Sequence, residues 1–297
     1  MNNLPKNFVM QLGSLVALYV SITALLTLIF STINIAIPDA AAGSWEWDSS
    51  QSSLRFSLAL LVVFFPTYLA LTRVVNQTRR ESEESYATFT KWLIYISLLV
   101  GGLVMLVDLV VVIMTFLEGE VTLRFILKAA SVLFIIGAVF CYYLKDAKGY
   151  WQMRPQMSIT YGAVATAMVI GIVVSSLYHM EMPTDARERK LDNEQVGHMQ
   201  DMQWRIEDYY RTNEALPENI TAVYVNDVPK APDGRETYAY NVTGTTTYEL
   251  CATFAKPSQP DTQTRPVTPP GLEKNYNWDY KAGRWCFDRE IDGEYRQ

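Results

Sequence analysis

One acidic residue inside an apolar segment carries the clearest chemical signal in this sequence. Asp108 lies within the apolar run 92–117. An ionised carboxylate is costly in hydrocarbon, so such a residue marks a candidate ion or solute site and requires a partner. Arg55, Arg124 and Lys128 lie near the ends of neighbouring apolar runs, and their long side chains can reach inward. These four residues predict a polar intramembrane site.

A structural role for Asp108 is the alternative, either in an ion pair or as a neutral acid hydrogen-bonded between helices. We favour this alternative, because one acid among several apolar runs is little for a proton path. Five acidic residues in the adjoining loops could neutralise the three basic residues: Asp39, Glu46, Asp48, Glu118 and Glu120.

Recognisable catalytic patterns are missing from the sequence. The two histidines, His179 and His198, lack metalloprotease spacing, and no P-loop, dinucleotide fingerprint or G-x-S-x-G motif occurs. The sequence therefore predicts no catalytic residue, no metal site and no cofactor. We expect a protein that is not an enzyme.

Five apolar runs are long enough to cross a bilayer, which needs about 20 residues each. They cover residues 11–37, 54–75, 92–117, 125–144 and 157–178. Aromatic residues at their ends, including Trp92 and Trp151, are typical of interfacial anchors. The fold class expected is thus a polytopic helical membrane domain over residues 1–178.

The first run could instead be a cleavable signal peptide, with Ala40-Ala41-Ala42 imitating a cleavage site. Its apolar stretch is longer than the apolar region of a signal peptide, which favours a retained anchor.

Basic residues set the orientation. Eight lie on one side of the runs: Lys6, Arg73, Arg79, Arg80, Lys91, Lys145, Lys148 and Arg154. Three lie on the other side: Arg55, Arg124 and Lys128. This bias predicts a cytoplasmic N-terminus and an external C-terminal tail. Cys251 and Cys286 both lie in that tail, where a disulfide can persist.

The tail, residues 179–297, is acidic. It holds 14 Lys+Arg against 21 Asp+Glu, whereas residues 1–178 hold 11 against 10. This charge disfavours nucleic acid as a partner.

Thr184 or Asp185 could cap a helix at the start of the tail, with Glu188 at capping-box spacing. The steps of three and four between Met199, Met202, Ile206 and Tyr209 predict an apolar face on that helix, extended by Leu191 and packed on a sheet.

Short β segments follow the tail helix. Residues 220–225 predict a strand, and 237–242 with 246–254 predict a hairpin. Lys256–Gly271 is rich in proline and predicts an exposed loop, after which 277–280 and 284–287 predict a second hairpin. A Cys251–Cys286 disulfide would join the two hairpins and contribute about 3–4 kcal/mol.

Part of the tail resembles the major pseudopilin of type II secretion. The resemblance is carried by Ile206-Glu207-Asp208-Tyr209-Tyr210, Ala215-Leu216-Pro217, Pro232-Asp233-Gly234 and Thr237-Tyr238-Ala239-Tyr240. It implies a small α+β domain in which one long helix packs on an antiparallel sheet. Pseudopilins have a processing glycine followed five residues later by an assembly glutamate. Here Arg154 stands five residues after Gly149, so filament assembly is not carried over.

The membrane half resembles an uncharacterised family of bacterial multi-spanning domains. The resemblance is carried by Leu54-Arg55-Phe56-Ser57-Leu58-Ala59, Phe65-Pro66, Lys91-Trp92-Leu93-Ile94-Tyr95, Gly119-Glu120, Arg124-Phe125-Ile126-Leu127-Lys128 and Tyr142-Tyr143-Leu144. It implies a helical architecture in a bacterial cytoplasmic membrane.

The expected function is display of an external interaction domain that contacts an envelope protein or the cell wall. The lipid bilayer is a further expected partner, and a homo-oligomer is compatible with the sequence. The alternative is a small transporter or sensor in which the Asp108 region binds an ion or solute.

Overall fold

The structure is a computed structural model that describes residues 4–38, 44–81, 87–119, 121–225, 227–258 and 273–291. The chain divides into two compact units, and the boundary after the last apolar run lies between Met180 and Glu181. Most of the predicted loop Lys256–Gly271 lies outside the described residues, as do Asp39, Glu120 and Ala40-Ala41-Ala42.

Within the described residues, the first unit contains five long apolar helices, as predicted. They are α1 (Leu4–Ala36), α2 (Ser44–Glu81), α3 (Ala87–Glu118), α4 (Leu123–Ala147) and α6 (Pro155–His179), with the short α5 (Tyr150–Met153) before the last. Each contains one predicted run, apart from Ile37 at the end of the first. α2 continues as a helix through Pro66.

Apolar side chains occur all around these helices. Leu18, Leu25 and Leu28 of α1 are buried with Leu54 and Leu61 of α2 in the core of the unit. Large apolar side chains of α3, in contrast, are mostly exposed. A helix that is apolar on every side satisfies its backbone internally and matches lipid outside, which is the physical requirement for a membrane span.

The second unit begins with α7 (Pro183–Asn213). The predicted cap at Thr184 or Asp185 is wrong: the N-cap is Met182, two or three residues earlier, and it provides no side-chain hydrogen bond. Proline is favoured at the first helical position, because its missing N–H would have no partner there. The carboxylate of Glu188 accepts a hydrogen bond from Arg235 instead of completing a capping box.

Three of the four residues of the predicted apolar face of α7 pack on a three-stranded antiparallel sheet, whereas Tyr209 and the added Leu191 are half-buried and lie outside this core. Met199, Met202 and Ile206 are fully buried against Leu250 and Phe254 of the middle strand. Burying a side chain of this size stabilises a fold by about 1.5–3 kcal/mol. The helix and the sheet therefore supply a core that belongs to this unit alone.

The sheet has the strand order β1-β2-β3, with β1 (Ala239–Val242), β2 (Thr247–Phe254) and β3 (Gly283–Glu290). The predicted first hairpin is confirmed by the antiparallel pairing of β1 and β2. The prediction of a second hairpin is wrong, because β3 pairs with β2 and residues 277–280 form no strand. The Asp279 N–H donates to the side chain of Asn277, a local turn that competes with strand pairing.

The predicted strand over 220–225 is also wrong. Ile220–Val223 is a 3-10 helix, in which the side chain of Asn219 accepts the N–H of Ala222. Such local hydrogen bonds offer the backbone an alternative to a sheet. A further single-turn helix, α8 (Glu273–Tyr276), precedes β3.

The disulfide Cys251–Cys286 is present and joins adjacent strands. The two cysteines are direct partners in the β2–β3 pairing, with a Cα–Cα distance of 4.0 Å. Tyr248, Leu250, Ala252 and Phe254 alternate with Cys251 along β2, so the disulfide lies on the face of the sheet opposite α7.

Candidate functional site

Arg124 is the centre of a polar cluster at one end of the membrane unit. The start of α4 is fixed by Thr122, whose side chain accepts the N–H of Phe125. Arg124 is only 8% exposed, and its Nη2 donates to Glu46 Oε1 at 2.6 Å and to Asn34 Oδ1 at 2.8 Å. These contacts join α1, α2 and α4. Of the loop acids expected to neutralise basic residues, Glu46 does so.

The other three predicted members of the intramembrane site are Lys128, Asp108 and Arg55. Lys128 follows Arg124 by one turn, and its Nζ lies 6.0 Å from the centroid of the Phe30 ring. The Oδ2 atom of Asp108 is buried and has no hydrogen-bond partner in the described part of the chain. Arg55 enters the membrane unit on α2 and makes contacts of its own. A pocket that contains all four residues stays a prediction.

Two polar contacts tie α6 to this same end of the bundle. The hydroxyls of Thr32 and Ser176 are 2.8 Å apart, and Gln51 donates to the backbone oxygen of His179 at 3.0 Å. The last membrane helix is therefore held to α1 and α2 near its C-terminus. In hydrocarbon such polar groups need partners from neighbouring helices.

The opposite end of the membrane unit contains a polar cleft that we did not predict. It has a volume of about 60 Å³ and is lined by parts of α1, α2, α3 and α4. Its polar lining residues are Gln11, Ser14, Tyr68, Thr72, Asn76, Tyr142, Tyr143 and Asp146. Asp146 is the one carboxylate of the lining and is 7% exposed. We refer to this feature as the inner cleft.

A sequence signal for the inner cleft exists. Tyr68, Thr72 and Asn76 recur every four residues along an otherwise apolar run, which places them on one face of α2. Tyr142 and Asp146 have the same spacing on α4. Tyr142 lies at the end of its apolar run, where aromatic residues are typical interfacial anchors, so the sequence alone did not connect the two polar faces.

Stacked aromatic rings hold one wall of the inner cleft. The ring of Tyr142 stacks on Trp151 with centroids 5.1 Å apart, and Tyr161 lies 5.4 Å from Tyr142. The indole N–H of Trp151 donates to the Tyr142 backbone oxygen, while Lys145 Nζ lies 5.7 Å from the Trp151 ring centroid. The turn from α4 to α5 requires Gly149, whose φ is 71°.

Asp192 organises the polar interior of the second unit. It is completely buried and accepts the backbone N–H groups of Ala255 and Lys256, at 3.0–3.1 Å. The guanidinium of Arg235 donates to Asp192 Oδ1 at 2.9 Å and to Glu188 at 2.6 Å. One carboxylate thus fixes the end of β2 and the segment before β1 to α7.

Arg289 is a second buried charge in the same unit. It is 3% exposed, donates to Gln203 and to the Asn277 backbone oxygen, and lies over the Trp278 ring at 4.2 Å. Burial lowers the pKa of Arg289 to about 10. It remains charged at neutral pH and links β3 to α7.

Histidine and acidic side chains of this unit also form hydrogen bonds that join its elements. His198 Nδ1 lies 2.8 Å from the Tyr238 hydroxyl, and the Tyr224 hydroxyl donates to Asp201 at 2.6 Å. Although partial burial opposes it, hydrogen bonds from Tyr224 and Arg205 hold the pKa of Asp201 below its ordinary value. Glu249, Cys251 and Cys286 are the one metal-ligand grouping found among the described residues, and the disulfide uses both sulfurs.

The second unit should lose stability in alkaline solution. Burial raises the pKa of Tyr240 and of Tyr280 to about 12, and burial likewise raises the pKa of Tyr248. A tyrosine whose pKa is raised by folding contributes its full stabilisation at a pH below its unfolded pKa, which is near 10. That contribution is lost as the pH rises through the pKa of the folded state. The lowered pKa of Arg289 changes the stability in the opposite direction, but Arg289 is one group against three tyrosines.

We expect the urea midpoint of the second unit to fall between about pH 9 and about pH 11. Pulse proteolysis of the full chain in detergent measures it. An unchanged or higher midpoint at the more alkaline pH would contradict the burial of these tyrosines.

Comparison with known proteins gives a match within the first unit only. No curated protein and no solved structure matches the chain significantly. Residues 7–143 match a family described as a domain of unknown function, DUF5671. This match covers four of the five long apolar helices and confirms the expected likeness of the membrane half to an uncharacterised family.

Proposed function

We propose that the chain is a non-enzymatic protein of the bacterial cytoplasmic membrane that displays its C-terminal domain to an envelope partner. The observation that carries this proposal is the second unit itself. It has its own apolar core, a buried ion pair and a disulfide, and it follows five membrane-length helices. A rigid domain of this kind can present a fixed surface to a protein or to the cell wall.

The proposed orientation places the N-terminus in the cytoplasm and the second unit outside. Eight basic residues against three support it, because the cytoplasmic side of a membrane protein is the more basic one. The disulfide supports it independently, since structural disulfides persist in oxidising compartments.

The absence of catalysis is part of the proposal. Its support is the structural use of groups that could otherwise act as acids or bases. Asp192 is saturated by backbone N–H groups and Arg235, and His198 is joined to Tyr238. Each of these bonds fixes one element of the domain to another.

The domain is proposed to be pseudopilin-like. One long helix packed on a three-stranded antiparallel sheet, with a disulfide near the C-terminus, supports this likeness. Arg154 occupies the place of the assembly glutamate and forms the N-cap of α6. We therefore propose a permanently anchored domain rather than a fibre subunit.

Trp204 is the contact residue we propose. It lies on α7 opposite the buried apolar face and is 56% exposed. Gln200 and Asp208 are exposed on either side of it along the helix. Tryptophan is enriched among residues that dominate binding energy, because its large ring becomes buried on association.

A photo-crosslinker at Gln200 should capture one envelope component in living cells. Trp204→Ala should reduce that capture strongly, whereas Asp208→Ala should not, because it alters the same face without removing the ring. Both variants should keep the wild-type urea midpoint. Capture that is insensitive to Trp204→Ala would refute this contact surface.

The alternative, a small transporter or sensor, is favoured by the Oδ2 atom of Asp108, which is buried and has no hydrogen-bond partner among the described residues. Asp108→Asn separates the two functions. A display protein should retain its crosslink in this variant. A transporter should instead lose solute or ion flux while the amount of folded protein stays normal.

A further inference from the structure

The inner cleft combines a buried carboxylate with aromatic rings. Asp146 belongs to its lining together with Tyr68, Tyr142 and Tyr143. Tyrosine faces attract cations through the ring quadrupole, and a carboxylate supplies a directional hydrogen-bond acceptor. A ligand with an ammonium group satisfies both features at once, whereas an anion would meet the Asp146 carboxylate unfavourably.

The other polar residues of the lining suit the same group. Ser14 and Thr72 are hydrogen-bonded at 2.8 Å and bring hydroxyl oxygens from α1 and α2 to the cleft. Asn76 adds an amide oxygen from the next turn of α2. These oxygens can accept the additional N–H groups of a primary ammonium ion.

Size and position limit the ligand further. A volume of about 60 Å³ has room for a small amine. Asp146 lies in the last turn of α4, and Asn76 lies near the end of the apolar segment of α2. The inner cleft is therefore at the level where a helix end meets the lipid head groups.

We propose that the inner cleft binds a primary ammonium group. Two sources have this chemistry: the head group of phosphatidylethanolamine and a free small amine. In either case Asp146 accepts the hydrogen bond of the ammonium ion, and Tyr68, Tyr142 and Tyr143 line the same cleft. This site is independent of the external contact surface around Trp204.

Thermal unfolding of the full chain in lipid nanodiscs tests the proposal. Bilayers of phosphatidylglycerol are compared with bilayers that also contain phosphatidylethanolamine, and ethanolamine is titrated against its neutral analogue ethylene glycol. Stabilisation by phosphatidylethanolamine identifies the lipid as the source. Stabilisation by ethanolamine alone identifies a soluble amine, and both results support an ammonium site.

Variants connect the effect to the inner cleft. Asp146→Asn should weaken ethanolamine binding about tenfold or more, because it removes the charged acceptor. Asn76→Leu should weaken it by filling the cleft while the carboxylate stays in place. Glu118→Gln, at the other end of the bundle, is the matched control and should bind normally.

Two results would overturn the proposal. One is the absence of any amine-specific stabilisation, in which ethanolamine stabilises no more than ethylene glycol and phosphatidylethanolamine stabilises no more than phosphatidylglycerol. The other is wild-type binding by both cleft variants. If Asp146→Asn does not fold, the wild-type comparison and Asn76→Leu still decide the question.

Discussion

Asp192→Ala is expected to lower the free energy of unfolding of the C-terminal domain by about 3–5 kcal/mol. The carboxylate of Asp192 is completely buried and accepts hydrogen bonds from Arg235 and from the N–H groups of Ala255 and Lys256. Its removal would leave the Arg235 charge and two backbone donors without this acceptor. Small domains have a total stability of about 5–15 kcal/mol, so this loss approaches unfolding.

The measurement is pulse proteolysis of the full chain in increasing urea, followed through a C-terminal tag. Asp208→Ala is the matched control, because Asp208 lies on the same helix with an exposed side chain. The control should shift the urea midpoint very little. If both variants shifted the midpoint equally, Asp192 would not organise the domain.

The intermediate variant Asp192→Asn sharpens the interpretation. Asparagine keeps the shape of the side chain and one acceptor oxygen but has no charge. Its amide NH2 group would also face N–H donors that the second carboxylate oxygen accepts in the wild type. A loss comparable to that of alanine would show that the negative charge is required. Recovery toward wild type would instead attribute the stability to the backbone hydrogen bonds.

Removing the disulfide should cost about 3–4 kcal/mol, the loop-closure value for the sequence separation of 35 residues between Cys251 and Cys286. The double variant Cys251→Ala, Cys286→Ala leaves no free thiol in the domain. The urea midpoint of this variant, measured as for Asp192→Ala, should fall. The midpoint of the wild type in reductant should fall to a similar value. Cys141→Ala is the control, because Cys141 is a free cysteine of α4.

Thiol labelling of intact cells extends this experiment to the proposed orientation. A membrane-impermeant maleimide should label Cys286, the exposed cysteine of the pair, only after reduction with an impermeant reductant. Labelling without reduction, or no labelling after it, would contradict an external oxidised domain. Retention of the wild-type midpoint in the double variant would show that the sheet and α7 suffice without the bond.

Periodicity and composition were enough to predict the main architecture. A membrane span must be apolar over about 20 residues, so the five long helices are visible in composition alone. The apolar face at Met199, Met202 and Ile206 likewise follows from helical spacing, and the β1–β2 hairpin follows from residues that favour strands. These features depend on short-range patterns that the chain carries locally.

Local hydrogen bonds explain the places where the predicted strands are wrong. Asn219 closes a 3-10 turn where a strand was expected, and Asn277 turns the chain before β3. A single side-chain acceptor close in sequence outweighs a weak strand preference. The partner of β3 was also unpredictable from spacing, because β2 lies far from it along the chain.

The sequence by itself determined which segments enter the membrane and which cysteines share a compartment. Only the tertiary structure decided which polar residues meet: Arg124 with Glu46 and Asn34, Asp192 with Arg235, and Asp146 with the tyrosines of the inner cleft. The physical reason is range. Hydropathy is a sum over neighbours in sequence, whereas a polar site depends on rotations and packing of helices whose contributing residues lie far apart in the chain.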